Sequence, residues 1–215
     1  MPTAREALLD AALAALVHRP WSAVRMADLA AAARVSRQTL YNEFGSKEGL
    51  ARALVRGEAD ACLQEARRLL AAPGPPARNL VALAEWIVTA AAVRPVLRAL
   101  LTGAWDARLP APRPARPGAR PAAVPAQRRA DAGPPAPGEL VAAIVACADE
   151  RWAAGCELAV RLALGHVVAP PVPCDAAPGA QCAEPENWRP MTPAMTRAIE
   201  TILSVETTSP RKTMP

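Results

Sequence analysis

One short stretch of the 215-residue sequence gathers guanidinium, amide, hydroxyl and ammonium side chains, all of which donate hydrogen bonds. It is SRQTLYNEFGSK, residues 36–47. Arg pairs bidentately with guanine, and Gln or Asn with adenine, so Arg37, Gln38 and Asn42 are the candidate base contacts. Hydroxyl and ammonium groups suit phosphate oxygens, which makes the candidate phosphate contacts Ser36, Thr39, Tyr41 and Lys47.

The sequence around this stretch predicts three short helices followed by a longer one. The predicted ranges are 4–17, 25–33, 37–44 and 47–71. Apolar residues recur at helical spacing in the first range, and Asp28 suits the positive end of the second helix. Ser36 suits the N-cap of the third helix, Gly45 the position after its end, and Ser46 the next N-cap.

The second and third helices form a helix-turn-helix at about residues 25–44, a device that places its second helix in the major groove of DNA. The residues expected to hold this motif together are Leu29, Val35, Leu40 and Phe44. Leu40 and Phe44 are four residues apart and share the helical face away from DNA. The single Tyr of the chain, Tyr41, is expected to place its ring against this core and its hydroxyl on the DNA backbone.

Residues 4–60 resemble the N-terminal domain of the TetR family of bacterial transcriptional regulators. The resemblance is carried by MADLAAAARVSRQTLYNEFGSKEGL at residues 26–50. It implies a transcription regulator in which a three-helix DNA-binding domain precedes a larger helical domain for ligand binding and dimerisation. It also implies a homodimer on a palindromic double-stranded DNA operator, most often a repressor, released by a small-molecule effector.

Three residues depart from the family pattern. Arg34 stands in the turn where Gly is usual, Arg25 where Ser or Thr caps the second helix, and Glu43 where His is frequent. A positive φ at Arg34 and a missing cap each destabilise by about 1 kcal/mol. Ser22 offers an earlier cap. We expect Glu43 to repel DNA, with Arg25 and Arg34 adding compensating positive charge.

Composition favours an all-α chain, because β-branched and aromatic residues are too few for several strands. The 24 prolines cluster and divide the sequence. We expect a DNA-binding domain at 1–72 and a helical effector-binding and dimerisation domain at 79–205. Residues 106–138 are rich in Pro and Arg without an apolar face and predict a flexible insert, and residues 206–215 predict a disordered tail.

The second domain is expected to contain helices within 79–105, broken near Pro95, and within 139–168, divided near Gly155. A last helix is expected at 193–205. The apolar faces of 79–93 and 139–168 are expected to form a four-helix dimer interface, the alternative being that they only bury each other. Candidate pocket residues, with ordinary core as the alternative, are Trp86, Trp105, Trp152 and His166.

Other classes of protein fit the sequence less well. Five cysteines without C-x-x-C spacing and two distant histidines predict neither a metal site nor a cofactor. A cysteine-dependent enzyme needs a base beside its thiolate, and neither His has a Cys at suitable spacing, so we expect no enzyme. A regulator that senses oxidation through Cys147 or Cys156 stays open. The absence of a signal peptide or a membrane-spanning apolar run predicts a cytoplasmic protein without a membrane partner.

Overall fold

The computed structural model describes residues 3–113 and 133–170, together with Arg197 and Thr201. Every regular element in these residues is helical, as the composition predicted. The α-helices are α1 Ala4–His18, α2 Met26–Ala32, α3 Arg37–Phe44, α4 Lys47–Leu70, α5 Pro76–Val93, α6 Pro95–Thr102, α7 Pro137–Val145 and α8 Ala153–Val168. Two short 3₁₀ helices, Trp21–Ala23 and Glu150–Trp152, precede α2 and α8.

The chain separates into two compact units. The first is Met1–Cys62 with Gly103–Pro137, and the second is Leu63–Thr102 with Gly138–Pro215. This division falls within α4, and residues 103–113 group with the first unit although we expected all of them in the second domain. The predicted domain bounds, 1–72 and 79–205, stay a prediction.

In the first unit, α1, α2 and α3 pack around one small core. α1 begins with a capping box, in which Thr3 Oγ1 accepts the Glu6 N–H and Glu6 Oε2 accepts the Thr3 N–H. Apolar side chains from all three helices and the first turns of α4 fill the core, among them Leu8, Leu16, Leu29, Leu40, Phe44, Leu50 and Leu54. Their burial fixes α3 against α1 and α2 and leaves its outer face exposed.

In the second unit, α5 and α8 pack along each other, and α6 joins both. The predicted break near Pro95 is confirmed, because α5 ends at Val93 and α6 begins at Pro95. The predicted division into two helices is confirmed, but it lies before Gly155, which is buried inside α8. The chain leaves the helix after Val145 instead, and the Asp149 carboxylate accepts the Arg151 N–H at 3.0 Å to begin the second 3₁₀ helix.

Several predicted segments lie outside the described residues. They are the helix at 193–205, apart from Arg197 and Thr201, the tail at 206–215 and the middle of the insert, residues 114–132. Within the part of the chain that the structure describes, no single helix is long and apolar enough to cross a membrane. α5 and α6 reach that length and composition only as a pair, and they are bent by 119° where they meet.

Candidate nucleic-acid interface

The exposed face of α3 carries the side chains expected to contact DNA. Ser36 is its N-cap, as predicted, because Ser36 Oγ accepts the Thr39 N–H at 2.9 Å and lies 2.8 Å from Thr39 Oγ1. Arg37, Gln38 and Asn42 are exposed. Gln38 Nε2 donates to Asn42 Oδ1 at 2.9 Å, which joins the two amides across one helical turn. The predicted base contacts therefore share one polar surface.

The inner face of α3 carries the apolar residues of the motif. Leu29, Leu40 and Phe44 are each at most 3 % exposed, whereas Val35 is half-buried beside the cap. Tyr41 is 48 % exposed, so the expectation that its ring belongs to the core is wrong. The Tyr41 ring lies on the outer face of α3 instead, because the inward positions of this short helix are filled by Leu40 and Phe44.

The turn between α2 and α3 has a conformation that favours glycine. Arg34 has a φ of 55°, the one positive φ among the described residues other than glycine. The Arg34 N–H donates to the Ala31 carbonyl at 3.1 Å, and the Val35 N–H donates to the Ala30 carbonyl at 2.9 Å. The positive φ for which strain is predicted at position 34 is therefore present, and the Arg34 side chain is exposed.

α2 begins without a side-chain cap, which confirms the second departure from the family pattern. Arg25 occupies the N-cap position and makes no capping hydrogen bond. Ser22 does not start the helix earlier, because it lies in the 3₁₀ helix and α2 begins only at Met26. Asp28 in the first turn pairs with Arg19 at 3.2 Å, an ion pair that joins the residue after α1 to the positive end of α2.

Glu43, the third departure, is paired with Arg5 of α1. Arg5 Nη1 lies 3.6 Å from Glu43 Oε2 and 3.5 Å from the Glu43 carbonyl oxygen. The same guanidinium lies over the Phe44 ring, 4.7 Å from its centroid. This pairing reduces the negative charge that Glu43 presents to DNA. Sequence reasoning missed Arg5, because nothing in the local pattern links residues 38 positions apart.

Lys47 lies at the start of α4, whose N-cap is Ser46, as predicted: Ser46 Oγ accepts the Gly49 N–H at 3.0 Å. Lys47 Nζ donates to the Ser22 carbonyl at 3.2 Å and lies 5.3 Å from the centroid of the Trp21 ring. Partial burial lowers the pKa of Lys47 from its usual value. An ammonium group has three donors, so the bond to Ser22 leaves capacity for a phosphate oxygen.

One of the four candidate pocket residues, Trp152, lines a cavity in the second unit. This cavity, of about 220 Å³, is lined by ten residues that include Asn79, Asp149, Arg151 and Trp152. Trp86 is half-buried and His166 is buried, and neither lines this cavity, while Trp105 belongs to the first unit. Asn79 Nδ2 donates to the Leu70 and Ala72 carbonyls at the end of α4, at 3.3 and 2.8 Å. The ligand site stays a prediction.

One of the two cysteines named in the alternative readings of the sequence, Cys156, is poorly placed for thiolate chemistry. Cys156 is fully buried, and burial, with a smaller contribution from Cys147, raises the pKa of its thiol to about 11. Cys147 Sγ donates to the Ala143 carbonyl at 3.2 Å. A thiol with so high a pKa is almost entirely protonated at neutral pH. In residues 3–113 and 133–170, no group of His, Cys, Asp and Glu is arranged to hold a metal ion.

Comparison with known proteins bears on the first unit. Residues 8–54 match the model of the bacterial regulatory proteins of the tetR family. These residues are a TetR-family domain. Over 56 residues the chain is 50 % identical to the HTH-type transcriptional regulator AlkX of Mycobacterium tuberculosis, a match that covers 26 % of each protein. The chain thus spans about a quarter of that relative's length.

A solved structure also aligns with the chain. It is the TetR family repressor AlkX of a Dietzia strain, with 22 % identity over 94 % of this chain and 95 % of that one, and a TM-score of 0.48.

The residues that match the TetR-family model run from Leu8 in α1 to Leu54 in α4. They therefore include the capped recognition helix α3 and the beginning of α4 with Lys47.

Proposed function

We propose that the chain is a DNA-binding transcriptional regulator, a homodimeric repressor that a small-molecule ligand releases from a palindromic operator. One observation carries this proposal. In a TetR-family helix-turn-helix, α3 exposes Arg37, Gln38 and Asn42 on its outer face while Leu40 and Phe44 hold it in the core. Exposed Arg and amide side chains on a groove-sized helix are the groups that recognise base edges.

The predicted roles of the other polar residues follow from their positions around α3. Ser36 and Thr39 lie at its N-terminus, where hydroxyls and backbone N–H groups suit a phosphate. The Tyr41 side chain is exposed, and its hydroxyl suits a second phosphate of the DNA backbone. Lys47, at the start of α4, suits a third phosphate. We propose that these four residues set the position of α3 on the duplex, and that Arg37, Gln38 and Asn42 read the sequence.

Dimerisation is supported by the outer face of α8. Leu158 and Leu162, four residues apart on one side of the helix, are half-buried in the single chain. A second copy packed on this face covers these apolar groups. Two recognition helices held about 34 Å apart then meet successive turns of the major groove, which explains a palindromic operator.

Release by a ligand requires that the ligand prefer one of two conformations. The coupling is typically about 1–3 kcal/mol, which changes operator affinity by a factor of about 5 to 150. The cavity beside Trp152 and Asn79 supports a site in the second unit, because it combines an aromatic wall, a buried amide and the Asp149–Arg151 pair at one place.

The test is selection of binding sites from random duplex DNA with the purified chain, compared with the double variant Arg37→Ala, Gln38→Ala. We expect the wild type to enrich an inverted repeat and the variant to bind without sequence preference. The matched control is Arg67→Ala, Arg78→Ala, which removes two exposed arginines of the second unit. Failure of the wild type to enrich any sequence contradicts the proposal.

A further inference from the structure

Residues 103–113, which follow α6, are docked on the DNA-binding unit. The Trp21 N–H donates to the Arg108 carbonyl at 2.7 Å, and the Arg113 N–H donates to Glu48 Oε1 at 3.1 Å. Pro110 and Pro112, between these two bonds, are buried. We call residues 103–113 the strap. Its backbone is attached to the 3₁₀ helix before α2 and to the first turn of α4.

The conformation of the strap is set locally as well. Asp106 accepts two bonds, from the Arg108 N–H to its carboxylate at 2.6 Å and from the Leu109 N–H to its carbonyl at 3.2 Å. The two prolines have fixed φ angles and no N–H to satisfy, so they suit a segment that packs without forming a helix.

The strap carries two arginines, Arg108 and Arg113. Both are exposed, and neither guanidinium pairs with a carboxylate of the described residues. The two nearest acids with defined contacts, Asp106 and Glu48, accept backbone N–H groups of the strap. The strap thus uses neighbouring carboxylates to hold its backbone and leaves two positive charges at the surface.

Both attachment points of the strap involve neighbours of Lys47. The backbone N–H of Trp21 holds the Arg108 carbonyl, while the ring of Trp21 faces the Lys47 ammonium group at 5.3 Å. Glu48, which holds Arg113, is the residue after Lys47. Lys47 is the phosphate contact expected at the start of α4, so the strap extends the same positively charged surface.

We propose that the strap is an accessory DNA-binding element, in which Arg108 and Arg113 bind phosphates next to the phosphate held by Lys47. This proposal rests on the proposed function, since it adds contacts to the same duplex. Phosphate contacts carry no sequence information directly. The strap therefore raises affinity for the operator and for unrelated DNA by the same factor, and it makes binding more sensitive to salt.

The test compares the wild type with Arg108→Ala, Arg113→Ala on the selected operator and on an unrelated duplex of equal length, over a series of salt concentrations. Each phosphate contact contributes about 0.9 to the slope of log K against log salt concentration. We expect the slope of the variant to be smaller by about 1 to 2, with equal loss of affinity on both duplexes. We expect the conservative double variant, Arg108→Lys, Arg113→Lys, to keep the salt slope of the wild type. We expect the control double variant, Arg67→Ala, Arg78→Ala, to match the wild type in both slope and affinity.

Three results overturn the proposal. If the wild type binds its operator and the alanine variant has the same affinity and the same salt slope, the strap does not bind DNA. The proposed function is then unaffected. A loss of affinity that lysine does not restore shows that the arginines support the fold rather than bind phosphate. If the wild type selects no DNA sequence, the proposed function is refuted, and the proposed role of the strap is refuted with it.

Discussion

Arg5 makes three contacts with the last turn of α3. It reaches the carboxylate and the carbonyl oxygen of Glu43, and its guanidinium covers the Phe44 ring. A cation beside the last carbonyls of a helix is stabilised by the helix dipole. The Arg5 and Glu43 side chains are only 17 % and 28 % exposed, so water weakens their attraction less than at an open surface.

We therefore expect Arg5→Ala to lower the free energy of unfolding by about 1 kcal/mol, since it removes a cation–π contact and a partly buried ion pair. Urea denaturation measures this, with Arg78→Ala as the control for loss of an exposed arginine. Arg5→Ala is also expected to weaken operator binding, because it uncovers the Glu43 charge. Adding Glu43→Gln is expected to recover that binding, and no recovery contradicts the role assigned to the pair.

At the scale of elements, some helix ends in this region are capped by side chains, whereas others have no cap or a strained backbone. Ser36 and Ser46 cap α3 and α4, whereas α2 has no side-chain cap and ends in a turn with a positive φ at Arg34. A residue with a Cβ in this region is strained by about 1 kcal/mol relative to glycine. The turn thus keeps its conformation because the packed helices on both sides require it.

The turn gives a direct test of this strain. We expect Arg34→Gly to have a free energy of unfolding about 1 kcal/mol higher than Arg34→Ala. Both variants lose the same positive charge, so the difference between them reports the backbone alone. Thermal and urea denaturation provide the measurement, and equal stability of the two variants shows that the turn relaxes to accommodate a side chain.

At the scale of the whole molecule, the proposed function depends on a second copy of the chain. The half-buried Leu158 and Leu162 of α8 are the residues on which we base the interface. A charged group buried at an apolar interface without a partner destabilises it strongly. The same substitution on an exposed face that makes no interface has little effect.

We expect the wild type to have twice the mass of one chain by light scattering after size exclusion, and Leu158→Glu, Leu162→Glu to be monomeric. Val17→Glu is the control, because Val17 is an apolar residue that is 68 % exposed on α1. The monomeric variant is expected to lose operator binding, since each recognition helix then binds its half-site alone. A variant that stays dimeric places the interface elsewhere.

The amino-acid sequence by itself determined the local features of the first domain. The bounds of α1 to α4 agree with the predicted ranges to within one residue at each end, and Ser36, Ser46 and the positive φ at Arg34 occur where they were predicted. Helical periodicity, caps and turns depend on residues within about four positions of one another. The family resemblance added the function expected of that motif.

The tertiary structure decided which distant residues meet. The pairing of Glu43 with Arg5, the contact of Lys47 with Ser22 and the docking of the strap on Trp21 and Glu48 each join residues that are 25 or more positions apart. The exposure of Tyr41 follows from competition with Leu40 and Phe44 for one small core. Such contacts depend on how all three helices pack at once, and no local pattern contains that information.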